Sequence, residues 1–267
     1  MSPIPPFTTQ LPAELWFRVA AVPANFSYPV HSHRWGEFVY SFSGVMEVQT
    51  VKGHFTAPTH YGIWLPPSVR HMGFNRNEAT HCSFYIMPEF CAEMPEQPCT
   101  LQICDFVVSI LNFLRSETLS LPLSESAFRI LRVLCDQLIE APRQDSFLPM
   151  TQDPLLKKFL LKMEQCPADN TPIQDMARQV GTTLRTVNRR SLELLGITLN
   201  EWRQRMRVVK AIDMLERGDK VENVAFNVGY SSASAFISMF SRVSGQTPGS
   251  IRAPFGKRKS LGVNTTF

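Results

Sequence analysis

No apolar run in the 267 residues is long enough to span a bilayer, although 44% of them are hydrophobic. The opening MSPIPPFTTQLPAELW has neither a basic segment nor an apolar one, so no secretory leader is expected and the chain reads as cytoplasmic, without a membrane partner. The six cysteines, at 82, 91, 99, 104, 135 and 166, fall in no CxxC or other metal-type spacing. Without export they are expected to be reduced thiols, several of them in the core, with redox sensing by Cys82, Cys91 or Cys99 the less favoured alternative. A strong net charge is missing too, because 27 Lys and Arg face 23 Asp and Glu. That balance conceals an asymmetry. Residues 1–150 hold nine Lys and Arg against thirteen Asp and Glu, a net of −4; residues 151–267 hold eighteen against ten, a net of +8. A basic C-terminal half calls for a polyanion partner.

From Glu14 to about Pro88 the pattern is one of short strands broken by turns. Leu15–Val22, Glu37–Phe42, Val45–Val51, His54–Ala57, Tyr61–Leu65 and Cys82–Met87 are rich in Val, Phe, Tyr and Trp, and a Lys52-Gly53 turn separates two of them. Many short strands at close spacing predict a small all-β barrel or sandwich. Within it, His31, His33, Glu37 and Gly44 of HSHRWGEFVYSFSG fit an HxHxxxE pattern with a trailing Gly. Pro66, His71 and Asn75 follow in PPSVRHMGFN. Together they resemble the two cupin motifs, with Ser68, Asn25 and His60 where those motifs carry glycine. The resemblance implies that His31, His33, Glu37 and His71 ligate one divalent cation. Residues two apart on a strand share a face, so His31 and His33 can converge, and three imidazoles with a carboxylate suit Zn, Fe, Ni or Mn. The alternative is a polar effector pocket, or hydrogen bonds across the barrel mouth. Trp35, Tyr40 and Trp64 are candidates to stack on a flat small-molecule effector, or else are barrel core.

This cupin-like domain is expected over 1–100. Residues 89–100 are a Pro-rich connection, and two helical stretches follow over 101–141. Leu101, Cys104, Val108, Leu111 and Leu114 form one stripe; Phe128, Leu131, Leu134, Cys135, Leu138 and Ile139 form another, capped by Ser124 or Ser126. The pair either joins two copies of the chain as a homodimer or packs onto the barrel. Residues 142–152 read as a linker.

An all-helical domain is expected over 153–252, with a weakly basic tail over 253–267. Asp153 caps a helix that starts at Pro154, and Thr171-Pro-Ile-Gln174 reads as a capping box. The stretch Pro172–Arg252 contains one unit twice. IQDMARQVG (Ile173–Gly181) is matched by VENVAFNVG (Val221–Gly229) 48 positions later, and Gly196 and Thr198 are matched by Gly245 and Thr247 at an offset of 49. A duplicated helix, glycine turn and second helix is a paired helix-turn-helix, here 172–195 and 221–244, joined by a helix over 200–217. Arg203, Arg205, Arg207 and Lys210 are expected on that joining helix's surface. The whole reads as a two-domain α+β chain.

The joining helix EWRQRMRVVKAIDMLERG and the segment VAFNVGYSSASAFISMFSRVSGQTPGSIR resemble the DNA-binding domain of AraC/XylS-type transcription regulators. In that family a cupin-like sensor is the usual partner domain, so the resemblance extends over the chain. HSHRWGEFVYSFSGVMEVQT and WLPPSVRH are most similar to regulators of neighbouring efflux transporters, so control of a transporter or metabolic gene is an expectation. The resemblance implies double-stranded promoter DNA and RNA polymerase as partners. It places Arg185, Asn188 and Arg189, flanked by Thr182 and Thr186, on the reading face of the first repeat. Arg suits guanine O6/N7 and Asn suits adenine N6/N7. Arg190 is expected to meet phosphate. In the second repeat Ala233, Ser234, Ala235 and Ser238 hold the corresponding places, with Ser232 capping, which predicts a weaker reader that positions the backbone. Ser191 stands where the family buries a Phe, so Leu192 or Leu194 is expected to compensate. The competing function is a cupin metalloenzyme with an accessory DNA-binding domain.

Overall fold

The computed structural model describes residues 10–76 and 78–252; the expected tail from 253 lies outside them. The N-terminal half consists of β1 (Leu15–Val22), β2 (Gly36–Ser41), β3 (Val45–Thr50), β4 (Gly53–Pro58), β5 (Tyr61–Leu65), β6 (His71–Phe74), β7 (Ala79–Ile86) and β8 (Cys99–Gln102), followed by α1 (Asp105–Ser116), α2 (Glu125–Ile139) and a two-residue β9 (Arg143–Gln144). The strands form two antiparallel sheets, ordered β1-β7-β2-β5-β8-β9 and β4-β3-β6. Among the described residues no ladder joins the sheets, so the expected barrel is not closed. Segment 26–31 reaches β6 only through isolated bridges, Ser27 to Phe74 and His31 to His71. Pro29 lies between them and has no N–H with which to continue a ladder.

Every residue of β2 is buried, because both faces of the strand are covered. Val39 points between the sheets with Met46, Val48 and Leu65. Phe38 and Tyr40 point the other way, under the helices, with Leu111, Leu114, Leu131, Leu134 and Leu138. Burying a Leu or Phe side chain contributes about 1.5–3 kcal/mol, so this layer fastens the helical pair to the six-stranded sheet. The apolar stripes expected either to pair two copies or to pack on the barrel are spent on packing. Two details of the first stripe are corrected. Leu101 belongs to β8 and Cys104 is exposed, while Val107 supplies the inward residue. Ser124 caps α2 by accepting from the Ala127 N–H at 3.2 Å.

The missing motif glycines leave a trace in the backbone. Asn25, His60 and Ser68 have φ of 57°, 71° and 66°, the non-glycine positive values among the described residues. The left-handed turns that glycine would make freely are thus retained with side chains that make them costlier.

The C-terminal half comprises α3 (Pro154–Gln165), α4 (Ile173–Gln179), α5 (Leu184–Leu195), α6 (Leu199–Glu216), α7 (Val221–Asn227), α8 (Ala233–Ser244) and α9 (Pro248–Arg252). Asp153 caps α3 through the N–H groups of Leu155 and Leu156. Thr183, Thr198 and Ser232 cap α5, α6 and α8. The capping box expected at Thr171 does not form. Its hydroxyl donates instead to the Asp169 carboxylate at 2.6 Å, and Pro172 takes the cap position. Arg203 and Arg207 are not on the surface of α6. They are buried and donate to backbone carbonyls of the α3–α4 loop, Arg203 to Thr171 and Arg207 to Pro167 and Asp169. Ser191 is fully buried and donates to the Ile197 carbonyl at 2.6 Å. The hydroxyl is satisfied inside the repeat. Leu192 and Leu194 are about half exposed, so neither fills the space of the absent Phe.

Residues 142–152 form a seated strap. Ser146 accepts from the Thr56 N–H, the Phe147 ring lies 5.1 Å from that of Tyr61, and Trp202 donates to the Pro149 carbonyl at 2.8 Å. A second contact between the halves is the Gly44 N–H on the Glu216 carboxylate.

Candidate functional site

Two places carry chemistry. In the first, segment 31–33, the start of β2 and the start of β6 bring His31, His33, Glu37 and His71 together, with one ligand atom from each lying within 4.8 Å of the others. The Nε2 atoms of His33 and His71 lie 3.0 and 3.3 Å from Glu37 Oε2. Each imidazole is held from behind in the same way. Nδ1 of His31, His33 and His71 lies 2.8, 2.8 and 2.9 Å from the carbonyls of Pro29, Trp35 and Val69. A carbonyl only accepts, so Nδ1 carries a proton in each ring, and Nε2 of His33 and of His71 faces the Glu37 carboxylate, where a cation would take its place as the partner.

Burial alone would raise the Glu37 carboxyl, but hydrogen bonds and charge from His33 and His71 outweigh it and hold it well below the ordinary carboxylate range. Burial would lower His71, yet its bond to Glu37 raises it. His31 is lowered, by burial and then by the neighbouring His71. The cavity beside the cluster is small, about 40 Å³. That accommodates an ion or a water, far less than the 300 Å³ or more of a pocket for a drug-sized ligand.

The stacking residues expected for a flat effector separate. Trp35 lies parallel to His33, with ring centroids 5.1 Å apart, and closes the site's edge. Tyr40 and Trp64 are in the layer beneath α1 and α2, because alternate residues of a strand face opposite ways. They line no part of the His cluster's cavity. The inner wall is instead formed by residues the sequence reading missed: Tyr28 and His81, 3.0 Å apart, with Tyr85 and Arg18. Burial drives His81 down to about 4 and Tyr28 up to about 12, so both are neutral at pH 7. The four-residue spacing of His81 and Tyr85 on one strand face was the available signal; Tyr28 had none. The cysteines offer no sensor thiolate among those considered. Burial raises Cys82, and pushes Cys91 and Cys99 up to about 11.

The second place is the exposed side of the two repeats. Arg185 and Arg189 are exposed on α5, with Thr182, Thr186 and Asn188 half-buried beside them. Arg189 is paired along the helix with Glu193 at 2.8 Å. Arg190, expected to meet phosphate, donates to the Asp153 carboxylate at 3.2 Å and ties α5 to the cap of α3. On α8, Ser232, Ser234, Ala235 and Ser238 are exposed and Ala233 is half-buried, which leaves a small-residue surface without a cation at its start.

Among known proteins, a family model described as a helix-turn-helix domain matches residues 176–253. The HTH-type transcriptional regulator NimR of Escherichia coli (strain K12) is 28% identical over 237 residues, 89% of this chain and 86% of NimR. The HTH-type transcriptional regulator RipA of Corynebacterium diphtheriae is 34% identical over 98 residues, 37% of this chain and 29% of RipA. Among solved structures, ToxT from Vibrio cholerae aligns over 89% of this chain and 97% of its own, with 12% identity and a TM-score of 0.37. No helix among the described residues is long and apolar enough to cross a membrane. With its duplicated helix-turn-helix units, their caps and glycine turns in place, the C-terminal half carries an AraC-type helix-turn-helix domain, and the chain is similar over most of its length to an HTH-type transcriptional regulator.

Proposed function

We propose that this regulator reads promoter DNA with α5 and α8 and that a divalent transition metal, held by His31, His33, Glu37 and His71, sets its activity. The observation that carries the reading is the convergence of three imidazoles on one carboxylate, each ring with Nδ1 tied to a carbonyl, Nε2 of His33 and His71 turned to Glu37, and one ligand atom of all four residues within 4.8 Å of the others. The small cavity favours an ion over a flat organic effector. A bound cation would join the 31–33 segment, β2 and β6, which no ladder joins. β2 runs on to Gly44, whose N–H meets Glu216 at the end of α6, so strain on β2 has a direct route to the helix between the repeats. On DNA, Arg185 and Arg189 supply guanine contacts and Asn188 an adenine contact, while α8 gives phosphate and shape contacts through Ser232, Ser234 and Ser238. A cupin-like sensor serving transcription, and not catalysis, agrees with relatives named as transcriptional regulators.

A second copy of the chain is the partner proposed for the outer side of α1, where Phe106 and Phe113 are exposed and Ile110 lies between them. Sedimentation of wild type and Phe106→Glu/Phe113→Glu checks this, with loss of a dimer expected. The metal reading is checked by measuring metal content after purification and DNA affinity with Zn, Fe, Mn or Ni, before and after chelation. Stoichiometric metal, lost in His71→Ala together with the metal's effect on affinity, is expected. No metal retained and an affinity indifferent to all four ions would sink it.

A further inference from the structure

The two repeats are not simply strung on α6; one short loop of the first is clamped into the turn of the second. Loop 166–171, between α3 and α4, reaches across to the glycine turn that follows α7. Asn170 is the hinge pin. Its Nδ2 donates to the Gly229 carbonyl at 2.7 Å, and its Oδ1 accepts from the Arg207 guanidinium at 2.9 Å. The same guanidinium donates to the carbonyls of Pro167 at 2.9 Å and Asp169 at 3.1 Å, and its plane approaches the Tyr230 ring with 5.4 Å to the centroid. Arg207 of α6, with Arg203 on the Thr171 carbonyl, therefore holds the loop, and Asn170 of the loop holds the second repeat.

The fit is close. A Cβ on Gly229 would lie 2.8 Å from the Ala168 carbonyl oxygen and 2.8 Å from the Arg207 guanidinium. The equivalent glycine of the first repeat, Gly181, has nothing within 4 Å of that position. Both turns need a positive φ, 86° and 71°, but only Gly229 is also needed for contact between the repeats.

We propose that Asn170, with Arg207 and Gly229, is a positioning device that fixes the separation and rotation of α5 and α8, and so sets the spacing between the two DNA elements the protein accepts. The proposal rests on the reading that both helices enter the major groove. Elements read from one face of the duplex are about one helical turn apart, and each inserted base pair displaces one element by about 3.4 Å and rotates it by about 35°. A stiff junction penalises that misfit, whereas a loose one absorbs it. Asn170 is exposed, so its removal leaves the core of either repeat untouched.

The test starts from the full chain and a pool of random-sequence duplexes, from which a two-element site is selected. Affinity is then measured on that site and on versions with one or two base pairs added or removed between the elements. For wild type a sharp optimum at one spacing is expected. Asn170→Ala removes both side-chain hydrogen bonds, of which the one to Gly229 crosses to the second repeat; loss of that bond, about 1 kcal/mol, should weaken the optimal site by roughly five-fold and weaken the mis-spaced sites less, so that the profile flattens. Asn170→Asp should flatten it equally, because a carboxylate still accepts from Arg207 but cannot donate to Gly229. Base preference within each element should be unchanged in both variants. A variant that is merely less stable would lose affinity equally at every spacing, and a spacing profile identical to wild type would overturn the assignment. Selection of a site with only one element would instead count against the two-helix reading beneath it.

Discussion

Replacing each of the paired turn glycines by alanine separates backbone strain from packing, because the two sites differ in one respect. At Gly181 an added Cβ meets open space, so Gly181→Ala incurs only the left-handed conformation, about 1–2 kcal/mol. The stiffer unfolded chain offsets about 0.4–1 kcal/mol of that, leaving a net cost near 1 kcal/mol. At Gly229 the same net cost applies, and in addition the Cβ sits 2.8 Å from a backbone oxygen. Ordinary contact begins near 3.4 Å, so something must move by more than half an ångström. Arg207 cannot yield freely, since its guanidinium already serves three acceptors in loop 166–171. Overpacking of this kind typically costs about 1–3 kcal/mol, which puts Gly229→Ala at about 2–4 kcal/mol. Urea unfolding followed by helical circular dichroism measures both, with Trp202 fluorescence reporting the C-terminal half. If the two variants lie within about 0.5 kcal/mol of each other, the loop is not firmly seated on the second turn and the reasoning fails.

Other outcomes follow from single contacts. Ser191→Ala strips the buried Ile197 carbonyl of its donor and should destabilise the C-terminal half by about 1–3 kcal/mol in the same denaturation assay. Arg189→Ala should weaken specific DNA binding by roughly 1–3 kcal/mol and relax one base preference, while Glu193→Gln, which frees Arg189 from its pair, should tighten binding on the selected site. Burial pushes the Glu216 carboxyl up to about 7, against the Gly44 N–H, with Asp213 adding repulsion and Glu78 and Arg217 lining the same groove. Its folded value exceeds the unfolded 4.5, so the folded state holds the extra proton and stability falls as pH rises from about 4.5 to about 7. Thermal melts of Glu216→Gln should therefore gain on wild type across that window and run parallel outside it.

Much of the C-terminal half was legible because its signals are local. Thr183, Ser232, Gly196 and Gly245 act within one turn of chain, and each does in the structure what its type and position predict. Thr171 misled because a capping hydroxyl competes with other nearby acceptors, and Asp169 was nearer. Strands β6, β8 and β9 were missed because two to four residues are too few to establish a period, and Leu101 fitted a helical stripe by coincidence of spacing.

The sequence by itself determined the repeat, the basic C-terminal half, and the His31, His33, Glu37 and His71 set, since residue type and spacing along the chain suffice for each. Only the tertiary structure decided which way Tyr40 and Trp64 point, that Arg203 and Arg207 are buried, and that Asn170 bridges to Gly229, 59 positions away. Those outcomes depend on which surfaces meet. A long polar side chain reads the same in sequence whether it faces water or a neighbouring loop's carbonyls.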